Sequence, residues 1–338
     1  MEIIFVHPQT QNPPSGGHLF NRWIVAEAER RGFPLLPCPP EVALSARFGR
    51  ATRVLWDSLL LAALARRPKR YRDGTHGLLV HYLPFRDPAL GHGERRRWSH
   101  RFDRVVGGMG FALATGAGVA AFLEQRFPGL PVGCCEPGID PVFPAARRTP
   151  DQPREPGPVR IATIAHLLPA KGHGDLLEAL GGLGHLAWEW HWVGADHLAP
   201  EHARNLRIAA AAVGLGARIV HHGVLPAPAL ARLLRRMDLV VQASGFESYG
   251  MALAEAVAAG VPVVATAVGE AERIVRHGET GFLVPAQDPM RLREAVARLL
   301  LDAALRQRFR ERSTRLPPRT WEAAFDDFVR FLGRVAAA

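Results

Sequence analysis

The sequence has few cysteines and no long apolar run. Its three cysteines, Cys38, Cys134 and Cys135, lack the spacing of a metal or redox motif. The adjacent pair is expected to be two small, buried side chains rather than a disulfide or a ligand pair. No stretch approaches the ~20 apolar residues of a membrane-spanning helix. The first residues, MEIIFVHP, have neither the basic segment nor the long apolar segment of a secretion signal. We therefore expect a cytoplasmic protein.

Several short catalytic motifs are also missing. There is no GxxxxGK[ST] pattern, which excludes a P-loop ATPase. Although there are 15 histidines, none has HExxH spacing, which argues against a metal site. The glycine-rich segment GGMGFALATGAG (107–118) leads into a GxGxxA pattern at 116–121, but no clear strand or acidic partner accompanies it, so it supports a nicotinamide dehydrogenase only weakly.

Length and composition indicate a globular protein of two domains. The chain has 338 residues, and domains average ~150 residues. Hydrophobic residues make up 48% of it, enough for a substantial core.

The net charge of +10 is concentrated in the N-terminal half. Residues 1–150 hold 20 Lys and Arg against 12 Asp and Glu, whereas residues 151–338 hold 22 against 20. Two basic runs, at 65–72 and 94–104, have two interpretations. They are either solvated helix faces or a docking surface for an anionic membrane or acceptor. No nucleic-acid-binding module is present, so nucleic acid is not an expected partner.

Strand and helix patterns alternate twice along the chain. Strands are predicted at 2–7, 33–38 and 77–83, with a helix at 18–32, and the alternation restarts at VRIATIA (159–165). A proline-rich segment at 148–158 separates the halves. We predict an α/β protein with two Rossmann-like βαβ domains, 1–150 and 151–316, facing across a cleft.

The stretch FESYGMALAEAVAAGVPVV (246–264) suggests a ligand. Ser248 is predicted to cap a helix that begins at Tyr249, and small residues leave its first turn open to an anion. Glu247 and Glu255 would repel a phosphate, but carboxylates accept strong hydrogen bonds from paired hydroxyls. A nucleotide sugar offers both groups. The alternative is a surface glutamate and a helix glutamate in a salt bridge.

Neighbouring motifs extend this pattern into a family resemblance. Lys171 and Gly172 follow the first strand of the second half, and VPVVATAVGEAERIVRHGETGFLVPAQDP (261–289) follows the glutamate helix. Together these resemble the retaining glycosyltransferases of family 4, also called glycosyl transferases group 1, which have the GT-B fold. The resemblance is densest over 159–290 and weakest over 40–105. It implies that the last helix (317–338) crosses back to the N-terminal domain.

The resemblance also implies roles for individual residues. Glu255 would hold the ribose hydroxyls, Glu247 the sugar hydroxyls and Lys171 the diphosphate. His166 stands where the family usually has an arginine, Arg273 stands where it usually has a glutamate, and His81 is the candidate histidine beside the donor sugar. The remaining predicted donor-binding residues are Gly16, Gly17, Ser248, Tyr249, Gly250, Met251, Ala252 and Leu253.

The activity implied is retaining transfer of a sugar from a nucleoside-diphosphate sugar to a hydroxyl of a glycan, lipid or small molecule. No DxD motif is present, so we expect no metal or other cofactor. A nucleotide-sugar epimerase of the same fold and a non-catalytic nucleotide-sugar-binding protein stay open as alternatives. The base, the sugar, the acceptor and the oligomeric state are not specified by these motifs.

Overall fold

A computed structural model describes residues 2–9, 15–49, 51–148 and 156–337. The chain divides into two compact units, one of Met1–Gly138 with Arg319–Ala338 and one of Ile139–Pro318. The predicted boundary at 150/151 and most of the predicted linker lie outside the described residues. The observed division comes earlier because Ile139 and Phe143 are buried in the core of the second unit.

The first unit contains a six-stranded parallel sheet in the order β2-β1-β3-β4-β5-β6. Its four inner strands are almost wholly buried, as expected for a parallel sheet covered on both faces, whereas the edge strands are partly exposed. In α1, Phe20, Ile24 and Ala28 repeat every four residues and form the buried face. The strands are β1 (Ile3–Val6), β2 (Leu35–Cys38), β3 (Arg53–Asp57), β4 (His76–Val80), β5 (Phe111–Ala114) and β6 (Val132–Cys134). The helices are α1 (Gly16–Arg30), α2 (Pro40–Ala43), α3 (Leu61–Leu64), α4 (His92–Val106) and α5 (Ala117–Arg126).

One glycine of the segment 107–118 has a structural explanation. Strand β5 runs through the middle of it, and a Cβ on Gly110 would lie 2.2 Å from the carbonyl oxygen of Gly74. This glycine is therefore required by a close backbone approach.

The second unit contains a six-stranded parallel sheet in the order β12-β11-β10-β7-β8-β9. Alternate strand residues enter two apolar layers: Ile161 and Trp190 lie in one, and Ala162 and Val240 in the other. The strands are β7 (Val159–Ile164), β8 (Trp188–Val193), β9 (Ile219–His221), β10 (Leu239–Gln242), β11 (Val263–Thr266) and β12 (Gly281–Val284). The helices are α6 (Val142–Ala145), α7 (His173–Gly181), α8 (Pro200–Ala212), α9 (Ala227–Arg236), α10 (Met251–Ala258), α11 (Ala271–Ile274), α12 (Pro289–Leu301) and α13 (Ala303–Thr314).

The last helix, α14 (Trp321–Ala337), belongs to the first unit, as predicted. The rings of Trp321 and Trp23 of α1 stack with centroids 5.3 Å apart. A Cβ on Gly133 of β6 would lie 2.4 Å from the ring of Phe331, so the helix fits closely over this strand. Cys135 is buried beneath the helix, and its burial raises the pKa of the thiol.

None of the three cysteines is in a disulfide bond, and of the adjacent pair Cys135 is buried whereas Cys134 is only partly buried. Among the described residues, no helix is both long and apolar enough to cross a membrane.

Candidate functional site

The sheet of the second unit reverses its strand order between β7 and β10. Strands β8 and β9 lie on one side of β7, while β10, β11 and β12 lie on the other. In open α/β sheets, ligands bind beyond the carboxyl ends of the strands at such a switch point. The segments that follow β7 and β10 carry Lys171 and Glu247, two of the predicted site residues.

Lys171 and Glu247 form an ion pair. Lys171 Nζ lies 2.7 Å from Glu247 Oε1, and the hydroxyl of Ser244 donates to the same oxygen at 2.9 Å. The two side chains are about a quarter exposed, so the pair is reachable from solvent. The sequence predicted both residues as site residues but not their contact with each other.

The backbone holds these two segments together. The N–H of Gly245 donates to the carbonyl of Ala170 at 2.8 Å. Gly172 has φ +68°, and a Cβ there would lie 1.8 Å from the carbonyl oxygen of Ala243. Only glycine combines this left-handed conformation with so close an approach. The position of Lys171 relative to Glu247 therefore depends on Gly172.

Helix α10 begins later than predicted. It starts at Met251, after Gly250 at φ +102°, so the prediction that Ser248 caps a helix from Tyr249 is wrong. A residue with left-handed φ between Ser248 and Met251 takes the serine out of capping position. The Ser248 hydroxyl is instead buried with no hydrogen-bond partner within the described residues.

The first turn of α10 offers few free donors. Leu253 N–H already bonds to Gly250 O, so the predicted use of the Leu253 amide is not supported in this conformation. The N–H groups of Met251 and Ala252 have no acceptor in the part of the chain that the structure describes. Tyr249 packs against the neighbouring apolar layer. Two amides therefore lack an acceptor, and the buried Ser248 hydroxyl lacks a partner.

Glu255 is a buried carboxyl on α10. It is 9% exposed, and its carboxyl group has no hydrogen bond or ion pair within the described residues. Burial, and secondarily the charge of Asp140, raises its pKa from 4.5 to about 8. An unpaired buried carboxyl is costly to fold, and such groups concentrate at functional sites.

His166 and Arg273 are the two departures from the family pattern. The imidazole Nδ1 of His166 accepts from the N–H of Ala195 at 3.1 Å, so a neutral ring carries its proton on Nε2. The side chain can therefore donate one hydrogen bond, where an arginine has five donors. Arg273 is an exposed residue whose Nε lies 3.4 Å from Glu270 Oε2.

The predicted site residues of the first unit also lie together. Gly16 and Gly17 form the start of α1, and a Cβ on Gly17 would lie 3.0 Å from His81 Cγ. His81 follows β4, and its Nε2 lies 3.0 Å from Asn21 Oδ1 and 3.6 Å from Asp57 Oδ2. Asn21 and Asp57 are fully buried and were not predicted. Asp57 ends the apolar stretch RVLWD, and a carboxylate at the end of a buried strand is a signal that could have revealed it.

The basic runs are only partly available for docking. Helix α4 exposes Arg96, Arg97, Arg101 and Arg104 to solvent. Arg70 of the other run instead donates to the carbonyls of three residues that follow β2 and so stabilises a turn. Among the residues that the structure describes, no group of three or more His, Cys, Asp or Glu side chains is arranged to hold a metal ion.

Comparison with known proteins identifies the family. The model of the family described as "Glycosyl transferases group 1" matches residues 147–316, half of the chain. The chain belongs to the glycosyl transferases group 1 family. The matched range includes Lys171, Glu247 and Glu255, which confirms the resemblance drawn from these motifs.

Curated relatives in this family match over short segments. The D-inositol 3-phosphate glycosyltransferase 1 of Catenulispora acidiphila is 40% identical over 92 residues, covering 27% of this chain and 22% of that protein. The phosphatidyl-myo-inositol mannosyltransferase of Mycobacterium leprae is 48% identical over 65 residues, covering 19% and 17%. The chain thus spans about a fifth of the length of these relatives.

Solved structures match over nearly the whole chain. Sucrose-phosphate synthase from Thermosynechococcus elongatus aligns with a TM-score of 0.78 at 18% identity, covering 99% of both chains. HepE from Anabaena, in complex with UDP and glucose, aligns with a TM-score of 0.73 at 16% identity, covering 99% of this chain and 100% of the other. These matches confirm the predicted GT-B fold, with its two Rossmann-like domains.

Proposed function

We propose that this protein is a retaining glycosyltransferase that moves a sugar from a nucleoside-diphosphate sugar to an acceptor hydroxyl. The observation that carries the proposal is the Lys171–Glu247 ion pair at the switch point of the second sheet. A cation and a carboxylate in contact can part when a ligand brings both a diphosphate and hydroxyls. Lys171 then binds the diphosphate and Glu247 the sugar hydroxyls.

The start of α10 supplies the complementary groups. The free amides of Met251 and Ala252 and the Ser248 hydroxyl suit the diphosphate, because helix N-termini favour anions. Glu255 accepts hydrogen bonds from the ribose hydroxyls, which provide the partners that its carboxyl lacks in the free protein. HepE, which shares the fold, has been determined in complex with UDP-glucose.

The reaction we propose keeps the configuration of the sugar and needs no metal. The leaving diphosphate accepts the proton of the attacking hydroxyl on the same face of the sugar. Lys171 and the helix amides stabilise the charge that develops on the diphosphate, and the protein contributes mainly positioning. His81 hydrogen-bonds the donor sugar in this scheme, as the family resemblance implies.

A non-catalytic nucleotide-sugar-binding protein is the second candidate, and His166 is the observation that favours it. With Nδ1 engaged by Ala195, the neutral ring brings no positive charge to the leaving group. Binding without turnover is the consequence if no other cation substitutes. An epimerase of the same fold would release free nucleoside diphosphate and an altered sugar without any acceptor.

The acceptor site and location are proposed from charge. The excess of basic residues in the first 150 residues and the exposed arginines of α4 suit an anionic or lipid-linked acceptor. We propose a cytoplasmic enzyme that associates peripherally with the inner face of the membrane.

The experiment that tests the function is turnover with defined donors. Purified protein is incubated with UDP-, GDP-, ADP- and TDP-glucose, with and without inositol phosphate and lipid acceptors, and products are read by mass spectrometry and anomeric NMR. An α-linked product from an α-linked donor supports retaining transfer. Binding without any consumption of a donor would leave only the non-catalytic candidate.

A further inference from the structure

A chain of three hydrogen bonds, two of them buried and one partly buried, ends at His81. Leu59 N–H donates to Asp57 Oδ1 at 2.7 Å, and Asn21 Nδ2 donates to Asp57 Oδ2. His81 Nε2 lies 3.0 Å from Asn21 Oδ1. Asp57 is 0%, Asn21 1% and His81 8% exposed, so water does not compete for most of these contacts.

The chemistry of each group fixes the direction of the whole chain. An ionised carboxylate only accepts hydrogen bonds, so Asp57 requires donors from both sides. The amide of Asn21 must then turn its NH₂ toward Asp57 and its carbonyl oxygen toward His81. A carbonyl oxygen only accepts, so His81 must donate from Nε2. In a neutral imidazole the other nitrogen, Nδ1, is then the acceptor.

The fold also fixes the orientation of the imidazole ring. The backbone N–H of His81 donates to Ser58 Oγ at 2.9 Å. Gly17 faces the Cγ–Cδ2 edge, because a Cβ there would lie 3.1 Å from Cδ2. Nδ1 is on the opposite edge of the ring and has no hydrogen-bond partner within the described residues.

We propose that Asp57 and Asn21 are positioning residues that hold His81 as the Nε2–H tautomer, so that Nδ1 accepts a hydrogen bond from a substrate hydroxyl. The proposal rests on the proposed function, in which His81 meets a hydroxylated sugar. It adds the two residues that decide which His81 nitrogen faces that sugar, and it states the polarity of the contact.

The substitution Asp57→Asn tests the direction of this hydrogen-bond chain. Leu59 N–H still requires an acceptor, so the new amide turns its oxygen toward Leu59 and its NH₂ toward Asn21. Asn21 must then rotate, present its own NH₂ to His81 and convert Nε2 into an acceptor. The His81 proton moves to Nδ1, so this nitrogen changes from a hydrogen-bond acceptor to a donor. Loss of a histidine's correct tautomer through an Asp→Asn change has precedent in serine proteases.

The readout is the pair of ring-nitrogen chemical shifts of His81 in the full-length protein labelled with ¹⁵N-histidine and assigned by the signals lost in His81→Gln. In the wild type at neutral pH we expect a protonated Nε2 and an unprotonated Nδ1. In Asp57→Asn we expect the reverse, a protonated Nδ1 and an unprotonated Nε2. The control is Asp73→Asn, because Asp73 is a carboxylate in a turn of the same unit, and it should show the wild-type pattern. A wild-type Nδ1–H tautomer would overturn the proposal, whether or not Asp57→Asn folds.

A functional readout separates positioning from a merely structural role. We expect Asp57→Asn to lower kcat/KM for hydrolysis of the nucleoside diphosphate glucose by about tenfold. This factor corresponds to the free energy of about one hydrogen bond. The Kd for the free nucleoside diphosphate, bound in the second unit, should not change. A reversed tautomer with unchanged kcat/KM would refute the positioning role. The expected tautomers in a protein that neither binds nor turns over any donor would instead refute the proposed function.

Discussion

Glu255 gives the sharpest test of the donor site in the free protein. Its pKa is raised from 4.5 to about 8, chiefly by burial. The folded state therefore holds the proton more tightly than the unfolded state. The stabilisation is complete below pH ~4.5 and is lost as the pH rises to about 8. Because each pKa unit corresponds to about 1.4 kcal/mol, the free energy of unfolding should fall by about 3 to 5 kcal/mol over this range.

The substitution Glu255→Gln removes this titration while keeping the shape of the side chain. We expect the stability of the variant relative to wild type to increase steadily from pH 5 to pH 8. Urea unfolding at four pH values measures the difference, and subtracting the two curves cancels the other titrating groups.

The control is Glu294→Gln, because Glu294 is an exposed carboxylate on α12. It should stay parallel to wild type at all four pH values. Parallel curves for Glu255→Gln as well would refute the reasoning, because they would mean that Glu255 ionises at its ordinary pKa in the fold.

Three further predictions concern other parts of the molecule. Gly172→Ala should unfold the protein or destabilise it by more than about 2 kcal/mol in urea titrations, because its Cβ meets a backbone carbonyl at 1.8 Å and its φ is left-handed. Gly174→Ala, in open space on α7, should be neutral or stabilising. Lys171→Met should weaken nucleoside-diphosphate binding about 10- to 100-fold in calorimetry, whereas Lys69→Met, in the other unit, should not. Replacing the three arginines at 95–97 by glutamine should reduce co-sedimentation with anionic vesicles in low salt, and unchanged binding would remove the proposed membrane association.

The motifs of the second unit could be predicted because they depend on local spacing. Lys171, Glu247 and Gly250 follow strands that can be recognised in the sequence as apolar runs. Parallel strands bring their carboxyl ends to one edge of the sheet. What the spacing could not predict was the contact between Lys171 and Glu247, since that depends on β7 and β10 being neighbours. The start of α10 was predicted two residues too early. A serine at this position favours a helix N-cap, but Gly250 adopts a left-handed conformation and delays the helix to Met251.

The first unit was harder to predict. Strand β3 lies where the family resemblance is weakest, so Asp57 at its end was missed. Asn21 looks like an ordinary polar residue of an amphipathic helix, and only the packing of α1 beside β3 and β4 makes it a link to His81. Side-chain networks that join separate elements have no local pattern in a sequence.

The central claim is that the second unit binds a nucleoside-diphosphate sugar through Lys171, Glu247 and Glu255. Calorimetry with UDP, GDP, ADP, TDP and their glucose conjugates tests it most directly, on wild type, Glu255→Ala and the control Glu294→Ala. We expect one nucleotide to bind wild type and the control with equal affinity, and Glu255→Ala to lose that binding. A nucleotide that binds all three proteins equally, or a wild type that binds none, would contradict the account.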